Sequence, residues 1–299
     1  MATATATRRT PGPQAWRVLL PLTLLALMLA DVLLPPDRRA AAGGPPAELV
    51  PAVAGAYPPI GTLAVFLAQQ QVPVAGLTIR AAEARSVRIA ASAAGNAEVD
   101  RPFPTASMVK LFVAEDILYR ARTGLLTLRA DDPWLLQEMI RHSDDPAASL
   151  LWDRYGGGQM ITDVARRYRL SGTAPPAVPG LWGAATTTAR DLGRFLSLLP
   201  SAAHPDDAAA LLEWMLAATP VAADGFDQQF GLFETAPPGT AVKQGWMCCV
   251  GGHRHLHSVG VVDSRVVVLL SEVSSSVGYG EARAALTTAA AAIPPPQTC

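Results

Sequence analysis

Strand-like runs lie at both ends of this chain and helical runs fill its middle, and that order limits the fold more than any other feature of the sequence. Residues 74–80 and 87–92 form two short strand candidates, and residues 240–250, 255–262 and 266–273 form three more, the last two joined by a tight Asp263-Ser264 turn. Between them, residues 108–118 are apolar apart from Lys110, Glu115 and Asp116, the pattern of a central helix surrounded by protein. Further helices are predicted over 134–141, from Asp145-Pro146 to the glycines 156–158, over 188–199 and over 205–218. Asp145 is expected as the N-cap of the second with Pro146 at its first helical position, and Thr188 with Asp191 as a capping box for the third. A short helix over 62–71 and a terminal alanine-rich helix over 279–293 complete the reading. Strands supplied by both ends, with helices between, predict an α/β fold: one sheet layer plus an all-helical subdomain at about 107–200.

The first 45 residues read as a separate leader and linker, with the domain occupying 46–299. Arg8, Arg9 and Arg17 precede an apolar run over 18–34, and Arg38 and Arg39 follow it, which is the pattern of an export signal. As a helix the run would reach about 26 Å, slightly short of a hydrocarbon core of roughly 30 Å. Cleavage at Ala40-Ala41-Ala42 and retention as a membrane anchor both fit. No cysteine lies nearby, so a lipid-modified N-terminal cysteine is not expected. Half of the chain is hydrophobic and 16% is charged, enough to bury a core, and 24 basic residues face 25 acidic ones. That balance argues against a nucleic-acid partner held through phosphate.

Of the 24 basic residues only two, Lys110 and Lys243, are lysines. Arginine serves wherever a positive charge suffices, but only lysine can lose its proton and act as a base. Lys110 lies three residues after Ser107, and Lys243 two before Gly245; between them stands the single Ser-Asp dipeptide of the chain, Ser143-Asp144, followed by Asp145. The ordered set Ser107-Met108-Val109-Lys110, Ser143-Asp144-Asp145 and Lys243-Gln244-Gly245 resembles the S-x-x-K, S-D-N and K-T-G motifs of class A β-lactamases and penicillin-binding D,D-peptidases. Taken singly, each residue also admits a structural role: Ser107 as a helix cap, Asp145 as the cap before Pro146, Lys243 as an exposed strand lysine.

The resemblance spans about 60–295 and implies that family's antiparallel sheet flanked by helices. It also implies roles. Ser107 would attack and Lys110, one helical turn on, would take its proton. Ser143 would relay a proton to the leaving nitrogen, Lys243 would hold the substrate carboxylate, and the Ser107 and Trp246 amides would form an oxyanion hole. Asp145, Gln244, Gly245 and Trp246 would contact the substrate, a β-lactam or a D-Ala cell-wall peptide. The four groups Ser107 Oγ, Lys110 Nζ, Ser143 Oγ and Lys243 Nζ should then converge in one cleft.

Three departures mark this chain. Residues 155–188 contain no glutamate to activate the water that releases the acyl group, and Asp163 is a doubtful substitute. Asp145 stands where the motif has an amide; a carboxylate only accepts hydrogen bonds, and it favours the charged form of Lys110. Gln244 stands where a small hydroxyl is usual. Slow release of the acyl group is therefore expected.

His253, His255 and His257 alternate on one strand, but neighbours or water are expected to satisfy them, and no metal or cofactor is expected. Cys248, Cys249 and Cys299 are read as two small strand residues and a terminal thiol, since a bridge between adjacent cysteines is sterically disfavoured and a pairing with Cys299 is the other option. The sequence therefore predicts an exported, monomeric serine acyl-enzyme hydrolase of the cell envelope. The competing readings are a catalytically impaired binding or sensing module on the same fold, and an anchored structural domain.

Overall fold

The computed structural model describes residues 44–69, 93–262 and 264–294, all within the compact unit Gly43–Thr298. The expected leader, the strand candidates at 74–80 and 87–92, Asp263 and Cys299 lie outside the described residues. In chain order the elements are α1 (Pro46–Ala56), β1 (Gly61–Gln69), β2 (Ala93–Gly95), β3 (Phe103–Pro104), a 3-10 turn (Ala106–Met108), α2 (Val109–Arg122), α3 (Asp132–Arg141), α4 (Asp145–Tyr155) and α5 (Gly158–Tyr168). Then follow a second 3-10 turn (Trp182–Ala184), β4 (Thr186–Thr187), α6 (Ala189–Ala202), α7 (Pro205–Leu216), the one-turn α8 (Leu232–Thr235), β5 (Ala241–Val250), β6 (His253–Val262), β7 (Arg265–Ser274) and α9 (Tyr279–Ala291). Five strands form an antiparallel sheet in the order β2-β1-β7-β6-β5, and β3 pairs with β4 as a separate two-stranded ribbon.

The segment predicted as a helix over 62–71 is instead β1. Its run Leu63–Ala68 is buried on both faces, so the polar alternation that reveals a half-exposed strand is missing. Leu63, Val65 and Leu67 pack with α1 and α9, while Ala64, Phe66 and Ala68 pack into the helical layer. Gly193 of α6 leaves room for the Phe66 ring, where any Cβ would collide. The sheet is thus sandwiched between α1 and α9 on one side and the helices α2 to α7 on the other.

Capping fixes where the helices start. Asp144, one residue earlier than expected, caps α4 by accepting the Ala147 amide at 2.7 Å, and Asp145 is the first helical residue ahead of Pro146. Gly156, with φ of 102°, ends that helix in the left-handed region that favours glycine. Thr188 caps α6 by accepting the Asp191 amide at 3.0 Å. The strands predicted at 240–273 fall where expected, with β6 beginning at His253. Among the described residues no helix is long and apolar enough to cross a membrane.

Candidate active site

Three elements distant in sequence bring the motif residues together. Ser107 sits in the 3-10 turn that leads into α2, and Lys110 lies in the first turn of that helix. Ser143 occupies the turn between α3 and α4, and Lys243 lies on the edge strand β5. Lys110 and Lys243 are both buried, and their amines converge on one hydroxyl: Lys110 Nζ is 3.2 Å and Lys243 Nζ 2.8 Å from Ser143 Oγ. Lys243 is therefore not an exposed strand lysine.

Ser107 lines a cleft of about 360 Å³ whose walls come from the start of α4, the 180–184 loop and the end of β5. Gly245 lets β5 approach the Ser107 turn closely: a Cβ there would lie 3.2 Å from the Ser107 amide nitrogen and 3.0 Å from Met108 Cε. Two non-glycine residues at the site hold left-handed backbone, Ala106 at φ 46° and Ser143 at φ 50°. Such conformations cost about 1–3 kcal/mol and collect where surrounding structure forces a side chain into position.

The electrostatics of the two lysines differ. Lys110 Nζ donates to Ser143 O at 2.6 Å, to Ser143 Oγ, and to Asp145 Oδ1 at 2.5 Å, which uses all three protons of an ammonium. No hydrogen bond joins it to Ser107 Oγ in this arrangement. Burial pulls its pKa below the usual lysine range, and Asp145, then Asp144 and Asp224, pull the other way. Burial and the neighbouring Lys110 push Lys243 much further down. A single hydroxyl between two amines can accept from one and donate to the other, so the arrangement fits a charged Lys110 and a neutral Lys243.

The expected substrate contacts divide. Asp145 and Trp246 line the cleft, and the Trp246 ring stacks on Phe226 while its indole nitrogen donates to Asp224 at 3.2 Å. Gln244 points to the other face of β5, where its amide donates to Gln228 O at 3.3 Å and to Phe230 O, so its side chain is buried away from the cleft. Strand alternation accounts for this: when Lys243 and Gly245 face the helical layer, Gln244 cannot. Asp163 is tied to Gln159 and Arg166 on α5 and does not line the cleft.

Other residues join the site without any motif to announce them. Trp182, in a loop rich in Pro and Gly, also lines the cleft, with Lys110 Nζ 5.0 Å from its ring centre. Cys248 and Cys249 line the cleft as well and are joined to each other across a cis peptide, which corrects the reading of two unbridged strand residues. That reading assumed the ordinary trans spacing, whereas here the two Cα atoms are 3.0 Å apart. His253 is exposed, His255 is buried without a hydrogen-bond partner, and His257 bonds Pro104 O at 2.8 Å with its pKa pushed down to about 3 by burial. Among the described residues no three-ligand metal cluster occurs.

Comparison with known proteins agrees with this geometry. The "Putative lipoprotein LppW" of Mycobacterium tuberculosis strain H37Rv is 39% identical over 201 residues, 65% of this chain and 62% of that protein, so the match spans less than two thirds of the relative's length. Among solved structures, a β-lactamase from Burkholderia vietnamiensis superposes with a TM-score of 0.61 at 17% identity, covering 82% of this chain and 95% of that one. The acyl-enzyme complex of a PBP-A mutant with penicillin G gives 0.60 at 16% identity, covering 82% and 94%. These structural likenesses show the fold. Residues 134–294, which hold Ser143 and Lys243, match the family described as the β-lactamase enzyme family, and the chain belongs to that family.

Proposed function

We propose that this protein is a serine acyl-enzyme hydrolase acting on β-lactams or D-Ala cell-wall peptides, with slow release of the acyl group. The observation that carries the reading is the Ser143 hydroxyl held between Lys110 and Lys243 beside the Ser107 cleft. Lys110 can pass a proton to Ser143 Oγ while Ser143 passes its own to Lys243, leaving Lys110 as the free amine that takes the Ser107 proton. Ser107 Oγ then bonds the carbonyl carbon, and the amides of Ser107 and Trp246 would receive the negative oxygen. When the carbon–nitrogen bond breaks, the same chain returns a proton through Ser143 to the departing nitrogen. Among the described residues that line the cleft, only Asp145 has a carboxylate, and it is bound to Lys110.

The relatives named as lipoproteins, together with the Arg-flanked apolar run at 18–34, support an exported envelope protein with a leader over 1–45 and the hydrolase domain over 46–299. The sequence has no cysteine before Cys248, so that reading rests on the apolar run rather than on a lipid-modified cysteine. We read the protein as a monomer.

A second reading, a binding or sensing module that does not turn over, is favoured by one observation: all three Lys110 protons are engaged and none of the bonds reaches Ser107. Labelling with a fluorescent penicillin, followed over time by mass spectrometry, separates the two. A Ser107 adduct that forms and decays slowly is expected; no adduct would leave the binding module, and rapid multiple turnover would contradict slow release.

A further inference from the structure

Among the described residues that line the cleft, Asp145 is the only one that carries a charge. Its side chain is 55% exposed, whereas the lysine it pairs with is fully buried. Oδ1 accepts a hydrogen bond from Lys110 Nζ, and no described residue bonds Oδ2. Both lysines turn inward: Lys110 is spent on Ser143 and Asp145, and Lys243 on Ser143 Oγ and Gln244 O. Asp224, exposed and bonded to the Trp246 indole, adds a second negative charge behind the opposite wall. A ligand entering this cleft meets an open carboxylate oxygen and, among the described residues that line it, no exposed cation.

We propose that the acyl donor accepted by this cleft carries a free ammonium group on its acyl side, recognised by Asp145. The proposal rests on the acyl-enzyme reading above and names the substrate class of that site: amino-acyl lactams, amides or esters with an unblocked amine. A carboxylate repels a carbonyl oxygen presented to it and can bond only a donor, and an ammonium supplies donors together with the opposite charge. The ammonium would also compete with Lys110 for Asp145. Losing part of its partner and gaining a positive neighbour, Lys110 gives up its proton more readily, so the base is freed when the ligand is in place.

Ampicillin and benzylpenicillin form a matched pair, since their acyl groups differ by one amino group while the lactam and its carboxylate are identical. The rate of Ser107 adduct formation would be measured by intact-protein mass spectrometry at about pH 6, below the ordinary range of an α-amino group. Wild-type protein should favour ampicillin by about two- to fivefold, the upper span of a partly exposed ion pair. Asp145→Asn should abolish or reverse that ratio, and because both compounds use the same Ser107 and Lys110, any general loss of rate in the variant cancels. N-acetylated ampicillin, which lacks the charge, should lose the preference on wild-type protein and provides the same test should the variant fail to fold. Equal rates, a preference for benzylpenicillin, or a preference that survives Asp145→Asn or acetylation would overturn the proposal. If neither compound labels Ser107, the acyl-enzyme reading falls. Calorimetric binding of the pair to Ser107→Ala protein then decides the recognition: the same ratio supports it, and equal affinities overturn it.

Discussion

Helix α2 carries two buried charge clusters, and they are built to opposite rules. Near its middle, Glu115 and Asp116 meet Arg167, Arg120 and Tyr168. Arg167 forks between the two carboxylates, Tyr168 donates to Glu115 Oε1 at 3.0 Å, and Arg120 reaches Asp116 Oδ2 at 3.5 Å. All four carboxylate oxygens have a partner, and the Arg167 guanidinium carbon lies over Tyr119, 3.7 Å from the ring centre. At the helix start, two amines share one hydroxyl and Asp145 leaves an oxygen open to the cleft. The first cluster is closed and holds helices α2 and α5 together; the second sets two amines against one hydroxyl and leaves Asp145 Oδ2 without a partner among the described residues. Burial alone therefore does not mark the site, whereas an imbalance of donors and acceptors does.

The largest effect expected from this contrast is on chemistry. Lys110→Arg keeps the charge beside Asp145 but removes the base, so Ser107 labelling by a fluorescent penicillin should slow by at least about 100-fold. A rate near that of the wild type would break the contrast, because the open cluster would then be as structural as the closed one.

Arg167→Leu should do the reverse. It strands two buried carboxylates, and the cost in urea unfolding should be about 3 kcal/mol, with the labelling rate per folded molecule unchanged. A stability loss under about 1 kcal/mol would mean that the closed cluster is not structural.

A smaller effect is expected from Glu115, whose pKa burial pushes up from its ordinary 4.5 to about 7 despite Arg167. Between those values the folded protein holds a proton that the unfolded chain has lost. Unfolding free energy from this group should therefore fall as pH rises from 4.5 to about 7 and level off above it. Glu115→Gln should flatten that slope when urea unfolding is repeated across this pH range; an identical slope in both proteins would show that Glu115 is not the titrating group.

The smallest effect belongs to Asp163, paired with Arg166 one turn along α5 and outside the cleft. Asp163→Asn should leave the release of the acyl group within about twofold and stability within about 0.5 kcal/mol. A marked slowing of adduct decay would make it the missing base.

The meeting of Lys110, Ser143 and Lys243 was legible because lysine, unlike arginine, can lose its proton, so two lysines among 24 basic residues stand out. The C-terminal strands were legible through their turns and the start of α6 through its Thr188 cap, whereas the cap of α4 falls on Asp144 rather than Asp145. The strand β1 was not, because it is covered on both faces and its apolar run carries no period. Nor was the fate of Gln244, whose direction depends on which face of β5 Lys243 takes, or the presence of Trp182, which arrives from a loop. The Cys248–Cys249 bond was misread because chain spacing was taken as trans.

The pairing of β1 with β7 has a consequence for the order of events during synthesis. The sheet joins Gly61–Gln69 to Arg265–Ser274, and Lys243 lies 100 residues beyond the Ser143 it bonds. The turn that carries Ser107 precedes in the chain both its edge strand β5 and β7, the strand that locks the sheet. Until both are made, the long-range contacts that define the cleft cannot form. A nascent chain that stops short of β5 therefore has neither the strand that packs on the Ser107 turn through Gly245 nor the lysine that bonds Ser143.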